Sequence, residues 1–362
     1  YQGGFVRRGL FGSIIYKLSY ALSINPIVII HISTLLFFVS FLYLLKDSKK
    51  YFSTLFLLSP IVSLAPLLGD YLVRKDVSGI VAYAICTNLI TKNNKFPNFL
   101  LVNLISCLSI LNHESYVFYS IPSLLLLHFF SSQNTLGSKN NFLKIIKAII
   151  YILPTFIVAL IVFYFKGNYL IAFKINESWL NLATIIPIKE FPNSFNPSGA
   201  IESLSWTLGQ GISLPLSTIT SFEGGGWIWI PAIWMLTIFI CGQIFIGDKN
   251  KLNRELKVSV LLLQFTFISP LFLLGWDFGR WIFLWISSSI FFTVALIKIR
   301  NLSNNNLDTI YPNFLSKLFN GYELNGFKKS IYLLLSIPGC CWSINNYLEI
   351  LPIIYPFHIF QN

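Results

Sequence analysis

Apolar runs of about 17–25 residues, each as long as a bilayer is thick, recur along this chain with short polar breaks between them. They fall near 26–45, 51–69, 77–92, 96–112, 115–131, 145–165, 227–247, 257–275, 280–297 and 328–348. This pattern predicts an all-α fold, a polytopic transmembrane helix bundle of about ten spans, with 1–362 forming a single transmembrane domain. Two stretches depart from it. Over residues 1–25, Phe5, Leu10, Ile14 and Ile15 alternate with Arg7, Arg8 and Lys17, which predicts an interfacial amphipathic helix running to Ser23. Residues 166–226 are too long for a mere connection and predict one long extracytoplasmic loop. Inside it, Asn196-Pro197 predicts the start of a short helix through Ile201, Leu204 and Leu208 that includes Trp206. Gly224-Gly225-Gly226 predicts a hinge into the following span. Two readings of this loop stay open, a lid over a cavity and an interfacial segment without a chemical role. Asn176-Glu177-Ser178 fits the pattern of a glycosylation acceptor.

Composition agrees with the pattern. The chain is 55% hydrophobic and 11% charged, against roughly 25% charge in soluble domains, and its mean hydropathy is +0.68. The net charge of +12 is spread in small clusters between apolar runs and makes no basic patch, which excludes nucleic acid as a partner. Cys86, Cys107, Cys241, Cys340 and Cys341 all lie in apolar stretches without CxxC or metal-ligand spacing, and read as buried thiols. No apolar core follows Arg7-Arg8, so residues 1–25 do not read as a cleavable signal peptide. Walker A, Rossmann, HExxH and GxSxG patterns are all missing, which argues against hydrolysis of cytosolic nucleotides.

Charge also predicts sidedness. Seventeen of the 26 lysines and arginines fall in alternate connections, around Lys46–Lys50, Lys92–Lys95, Lys139–Lys147, Lys249–Lys257 and Lys298–Lys329, which marks that side as cytoplasmic. Residues 1–25 and the C-terminus then lie outside. The carboxylates run the other way: Asp70, Asp76, Glu114, Glu177, Glu190, Glu202, Glu223, Asp277 and Glu349 sit on the outer side. Acidic residues contribute little to topology, so this skew points to function on the outer face.

Four outer clusters carry candidate chemistry. Arg7 and Arg8 either snorkel to lipid phosphate or form an anion clamp, for which the planar guanidinium is suited. Asp70, Arg74 and Asp76 lie in Gly69–Asp76, a loop too short to reach far into solvent; it is a solvated turn, or its charges sit at the membrane surface or in a cavity. His113 and Glu114 occupy a tight turn at or below the interface, where an ionisable residue is costly; base, metal-ligand pair and structural pair all stay open. Trp276-Asp277-Phe278-Gly279-Arg280-Trp281 places Asp277 and Arg280 at i, i+3 between tryptophans, either an interfacial salt bridge or a phosphate site oriented by Asp277. Glu114, Asp76 and Asp70 are thus the candidate catalytic carboxylates. Arg7, Arg8, Arg74, His113, Asp277, Arg280 and Trp276 are the candidate substrate-binding residues.

Many spans, an amphipathic first outer segment and a large later outer loop together resemble the GT-C superfamily of membrane glycosyltransferases in layout. The resemblance implies a polyprenyl-phosphate-linked sugar donor, a glycan, lipid or protein acceptor, contact with membrane lipids, and a multi-pass location in a bacterial inner membrane with the active face periplasmic. Arginines would hold the phosphate and a carboxylate would deprotonate the acceptor hydroxyl; a divalent metal stays open as a cofactor. The family pattern places an acidic residue in the first outer loop, after a first span. Residues 1–25 contain no Asp or Glu, so the resemblance implies that this span and its acid precede Tyr1. The layout is also similar to that of O-antigen polymerases and ligases of lipid-linked glycans. A transporter would show internal repeats and mid-membrane charge, whereas here the charge lies at span ends and no repeat is visible.

Overall fold

The computed structural model of the chain describes residues 3–52, 54–64, 75–92, 96–135, 141–186, 196–197, 199–220, 251–275 and 277–303. Among them every regular element is helical. In chain order they are α1 (Gly9–Leu22), α2 (Pro26–Leu45), α3 (Thr54–Leu57), α4 (Asp76–Lys92), α5 (Phe96–Asn112), α6 (Ser115–Thr135), α7 (Asn141–Tyr164) and α8 (Tyr169–Ile185). There follow α9 (Gly199–Glu202), α10 (Leu208–Thr220), α11 (Lys251–Leu274) and α12 (Phe278–Ser303). Among the described residues four helices are long and apolar enough to cross a membrane: α2 with its extension to Lys50, α7, α11 and α12. The chain is on this ground a membrane protein.

The helices run back and forth between two ends. At one end lie the starts of α1, α4 and α12 and the α5–α6 turn, joined by Lys75, Asp76, His113 and Arg280. At the other, the Lys298 ammonium lies 3.6 Å from the Asp47 carboxylate, bringing the finish of α12 beside that of α2. Helix α12 is the axis of the bundle, buried almost throughout between Gly279 and Ile299 and packed on α4, α6 and α11. Three of its interior hydroxyls turn back on their own helix: Ser288 and Ser289 donate to the Trp285 carbonyl and Thr293 to that of Ser289. A hydroxyl buried among Phe283, Ile286, Ile290 and Phe292 is thereby satisfied without a neighbour.

The outer helices show the opposite pattern. Val28, Ile32, Leu35, Leu36 and Val39 of α2 and Ile149, Ile150, Leu153, Phe156 and Leu160 of α7 are exposed. A hydrocarbon surface of that extent is stable against lipid and a liability in water. Helix α7 carries Pro154 inside it, and proline cannot supply a ladder hydrogen bond. Asn103 of α5 spans the weakened turn, its Nδ2 donating to the Tyr151 carbonyl (2.9 Å) while its Oδ1 accepts from the Thr155 N–H (3.3 Å) and hydroxyl (2.8 Å). In hydrocarbon such repair comes from a neighbouring helix because no water can supply it.

Several expectations change here. The stretch 51–69 is not one helix: its described part makes two short turns, α3 and Pro60–Leu64, because Pro60 interrupts the ladder. The expected spans 227–247 and 328–348, the hinge Gly224–Gly226, Asp70, Arg74 and Trp276 lie outside the described residues. Residues 166–226 are no featureless loop. Asn168 caps α8, its Oδ1 accepting from the Ile171 N–H at 2.9 Å. The helix expected from Asn196 through Leu208 is divided into α9 and α10, with Trp206 in the connector between them. Asn176 is buried within α8, so the Asn-Glu-Ser triplet offers no accessible acceptor.

Candidate functional site

The N-terminal segment is tied into the molecule at residues 6–8. The Arg7 N–H donates to the Phe165 carbonyl, and Val6 is buried with Ala172 and Leu204 in a small separate core. Gly167, at φ 98°, permits this approach, since a Cβ there would meet Val6 at 2.9 Å and the Leu204 carbonyl at 3.0 Å. Arg8 then takes the left-handed conformation (φ 62°) immediately before α1, which costs a residue with a Cβ about 1–2 kcal/mol. Two contacts hold it there. Its Nε donates to both Glu114 oxygens, at 2.7 and 2.8 Å, with Nη2 on Oε1 as well. The Lys75 ammonium donates to the Arg8 carbonyl at 2.9 Å and reaches the Asn112 carbonyl at 3.4 Å.

Glu114 is the meeting point of this first centre. Only 6% exposed, it faces Arg8 directly and lies 3.5 Å from Arg7 Nη1. Burial on its own would raise its pKa, but the charges of Arg8 and Arg7 and the Arg8 hydrogen bonds prevail and hold the carboxyl well below the usual range. Burial opposes the charge on Arg8 in the same way, and Glu114 outweighs it, so its pKa is raised. Arg7 is less well compensated: burial, then Arg8, lower its pKa, and only partial attraction to Glu114 opposes them. Its Nη2 donates to the Ser203 carbonyl (3.0 Å), while its buried Nε finds no partner among the described residues. Lys75 has no carboxylate within ion-pair distance among the described residues, and burial brings its pKa down to about 8. Two arginines and a lysine therefore gather around one carboxylate.

The second centre is built on Arg280. Its Nε and Nη2 meet the two Asp76 oxygens at 2.7 and 3.1 Å, and Nη1 pairs with Asp277 one turn back. Arg280 is 5% and Asp76 3% exposed. This fork joins the first residue of α4 to the first turn of α12. The buried Trp281 ring lies 5.1 Å from the Arg280 guanidinium carbon, and its indole donates to the Gly275 carbonyl. His113 sits between the centres. Its Nδ1 accepts the Ser115 N–H at 3.2 Å, and its Nε2 lies 3.5 Å from Arg280 Nη2. Burial first, with Arg8 and Arg280 adding to it against Glu114 and Asp76, lowers its pKa to about 3. The imidazole is neutral at physiological pH.

Both centres face one cavity of about 1080 Å³. Of the residues expected at the site, Arg7, Arg8, His113, Glu114, Asp277 and Arg280 line it, whereas Asp76 is behind Arg280 and does not. The walls also contain residues that the sequence did not single out as binding: Lys75, Tyr16, Ser178, Trp179, Lys166 and Glu202. The signal for α8 was present in the Asn168 cap and the 175, 178, 179 spacing of its cavity face. No group of three His, Cys, Asp or Glu side chains disposed to hold a metal occurs among the described residues. Asp277 and Arg280 realise their i, i+3 pairing, but Arg280 is committed to two carboxylates and has little left to offer a phosphate.

Among the described residues the fold is all-helical, and this membrane protein has at one end of its bundle a largely apolar cavity whose wall carries a cluster of charged side chains. Compared with protein families, with curated proteins and with solved structures, the chain matches none.

Proposed function

We propose that this protein is a multi-pass membrane glycosyltransferase of GT-C-like layout that takes a sugar from a polyprenyl-phosphate-linked donor on the extracytoplasmic, periplasmic side of a bacterial inner membrane. The observation that carries the reading is the cationic surplus, with Arg7, Arg8 and Lys75 around the single carboxylate of Glu114 on a cavity wall. An anion with a lipid tail and a polar head fits a cationic cavity at the end of a membrane bundle. Phosphate oxygens at Arg7, Arg8 and Lys75 gain charge-assisted hydrogen bonds and complete the donor inventory of Arg7.

In this reading the phosphate competes with Glu114 for Arg8. Loss of that pairing makes Glu114 more basic when the donor is in place. The acceptor hydroxyl oxygen attacks the anomeric carbon, its proton passes to the Glu114 carboxylate, and the bond from the anomeric carbon to the phosphate oxygen breaks. The electron pair leaves on polyprenyl phosphate. Arg280, Asp76 and Asp277 hold the helix ends that frame this chemistry.

One observation favours a second reading. The cavity lies just above the roughly 300–1,000 Å³ typical of small-molecule sites, which suits a polymerase or ligase bringing two lipid-linked glycans together. Sugar transfer by the full-length protein in membranes, from labelled polyprenyl-phosphate monosaccharides and from lipid-linked oligosaccharides, separates the two. Transfer from monosaccharide donors, lost in Arg7→Gln and Glu114→Gln at unchanged protein level, supports the first. Transfer between oligosaccharides alone replaces it by the second, and no transfer from either class removes both.

A further inference from the structure

The end of the cavity away from Arg8 has a different chemistry. Gly9, Gly12, Ser13 and Tyr16 of α1 line the cavity at i, i+3, i+4 and i+7, one face of the helix. From Gly9, beside Arg8, to Tyr16 this face extends about 10 Å at 1.5 Å per residue. Opposite it, Ile175, Ser178 and Trp179 form the cavity face of α8, and the two faces close where the Tyr16 and Trp179 rings meet edge-on, centroids 5.4 Å apart. Trp206, Thr207 and Gly211 bring in α10 and the connector before it. Cations and carboxylates give way here to aromatic rings interleaved with hydroxyls.

Two glycines make this wall unusual. Among the described residues, a Cβ at Gly12 or at Gly211 would meet no atom within 4 Å, so neither glycine is required by their packing. Both are in helices, where glycine is the poorest residue after proline, and both face the same unfilled volume. The described residues give them no reason to lack a side chain, whereas a ligand lying against the helix backbone does.

We propose that this part of the cavity is a glycan subsite, in which sugar rings lie on Trp179 and Trp206, hydrogen-bond to Ser13 and Ser178, and pack against backbone at Gly12 and Gly211. The inference rests on the lipid-linked-sugar reading for the nature of the ligand, and adds where its sugars sit and what limits their size. Aromatic faces match the C–H faces of pyranose rings and hydroxyls match their rims, while a prenyl chain would have no use for the hydroxyls.

The test is direct binding to the purified full-length protein in detergent, with two probes: geranylgeranyl diphosphate, and the same lipid diphosphate carrying a disaccharide. Gly12→Leu and Gly211→Leu should weaken the disaccharide probe about tenfold or more, a loss of about 1.4 kcal/mol or more. They should leave the sugarless probe within about twofold and the melting temperature unchanged, since space is open at both positions. Trp206→Ala, which adds no bulk, should give the same selective loss. Equal loss of both probes would overturn the proposal in favour of a prenyl groove, and unchanged binding of both would also overturn it. Failure of the wild-type protein to bind either probe would be a different result: it would remove the lipid-linked-sugar reading, and this inference with it.

Discussion

The cavity has two arginine–carboxylate centres with opposite stoichiometry. Among the described residues, Arg7, Arg8 and Lys75 share one carboxylate around Glu114, Arg8 is strained into a left-handed conformation, and Arg7 Nε is buried without a partner. Around Arg280, two carboxylates share one guanidinium, and the fork ties α4 to α12 in the interior of the bundle. The same pair of residue types thus serves two ends. Where negative charge matches or exceeds positive and both partners are inside, the group is a fastener. Where positive charge exceeds negative beside an open volume, the group keeps cationic capacity for the anion proposed above. An arginine next to an aspartate in a sequence does not reveal which of the two it is; the count of partners in three dimensions does.

The sharpest way to break this comparison is to remove one carboxylate from each centre. Asp76→Asn should destabilise the protein by about 3–5 kcal/mol, the cost of leaving a buried charge partly unpaired, seen as a fall in melting temperature in detergent that added pyrophosphate does not reverse. Glu114→Gln should cost less, about 2–3 kcal/mol, because the amide still accepts a hydrogen bond and a free anion can take the vacated place. Millimolar pyrophosphate should raise its melting temperature more than that of the wild type. Equal rescue of both variants would erase the distinction between the centres.

A second measurement concerns His113, which lies between them. Its folded pKa of about 3 is below the unfolded value of 6.5, so the unfolded chain binds the proton first as pH falls. Stability is then fully present above 6.5 and is lost progressively below it, the loss levelling off near pH 3. From pH 7 to pH 5 the His113 contribution amounts to about 2 kcal/mol. A His113→Gln variant should show a correspondingly shallower decline in melting temperature over that range, while an identical slope would mean that the imidazole is not held neutral. The smallest effect on stability belongs to Arg7→Gln. It should leave the melting temperature nearly unchanged and weaken pyrophosphate or prenyl-diphosphate binding about tenfold, the worth of a single charge-assisted hydrogen bond. A large loss of stability with unchanged anion binding would place Arg7 among the fasteners.

Much of the bundle was legible in the chain. Apolar runs predicted α2, α4, α5, α6, α7, α11 and α12 close to their observed bounds, because a helix that faces lipid must be apolar over a fixed length. The failures have identifiable causes. Residues 51–69 were apolar enough to read as a span, but hydropathy does not register that Pro60 removes a ladder bond. Residues 166–186 read as loop because Lys166, Lys174 and Glu177 interrupt their apolar character, yet α8 needs only one buried face, supplied by Ala172, Asn176 and Leu182. At the site, Arg7, Arg8, His113, Glu114, Asp277 and Arg280 were visible as charge placed where a membrane protein avoids it. Lys75, Trp179 and Gly12 were not, since a single lysine, tryptophan or glycine at the end of a helix is ordinary by itself.

What the sequence alone determined about this protein is therefore its solvent and its inventory: helices long and apolar enough for a bilayer, and a set of costly ionisable groups at their ends. Those properties are local, set by how many apolar residues follow one another and by what each charged group costs to bury. Which charges become partners was decided only by the tertiary structure. Arg8 and Glu114 are 106 positions apart, and Asp76 and Arg280 204; only the stacking of helix ends brings them within hydrogen-bond reach. Pairing at such separations is settled by packing, and with it the difference between a charge shared by two opposite partners and one of three cations around a single carboxylate.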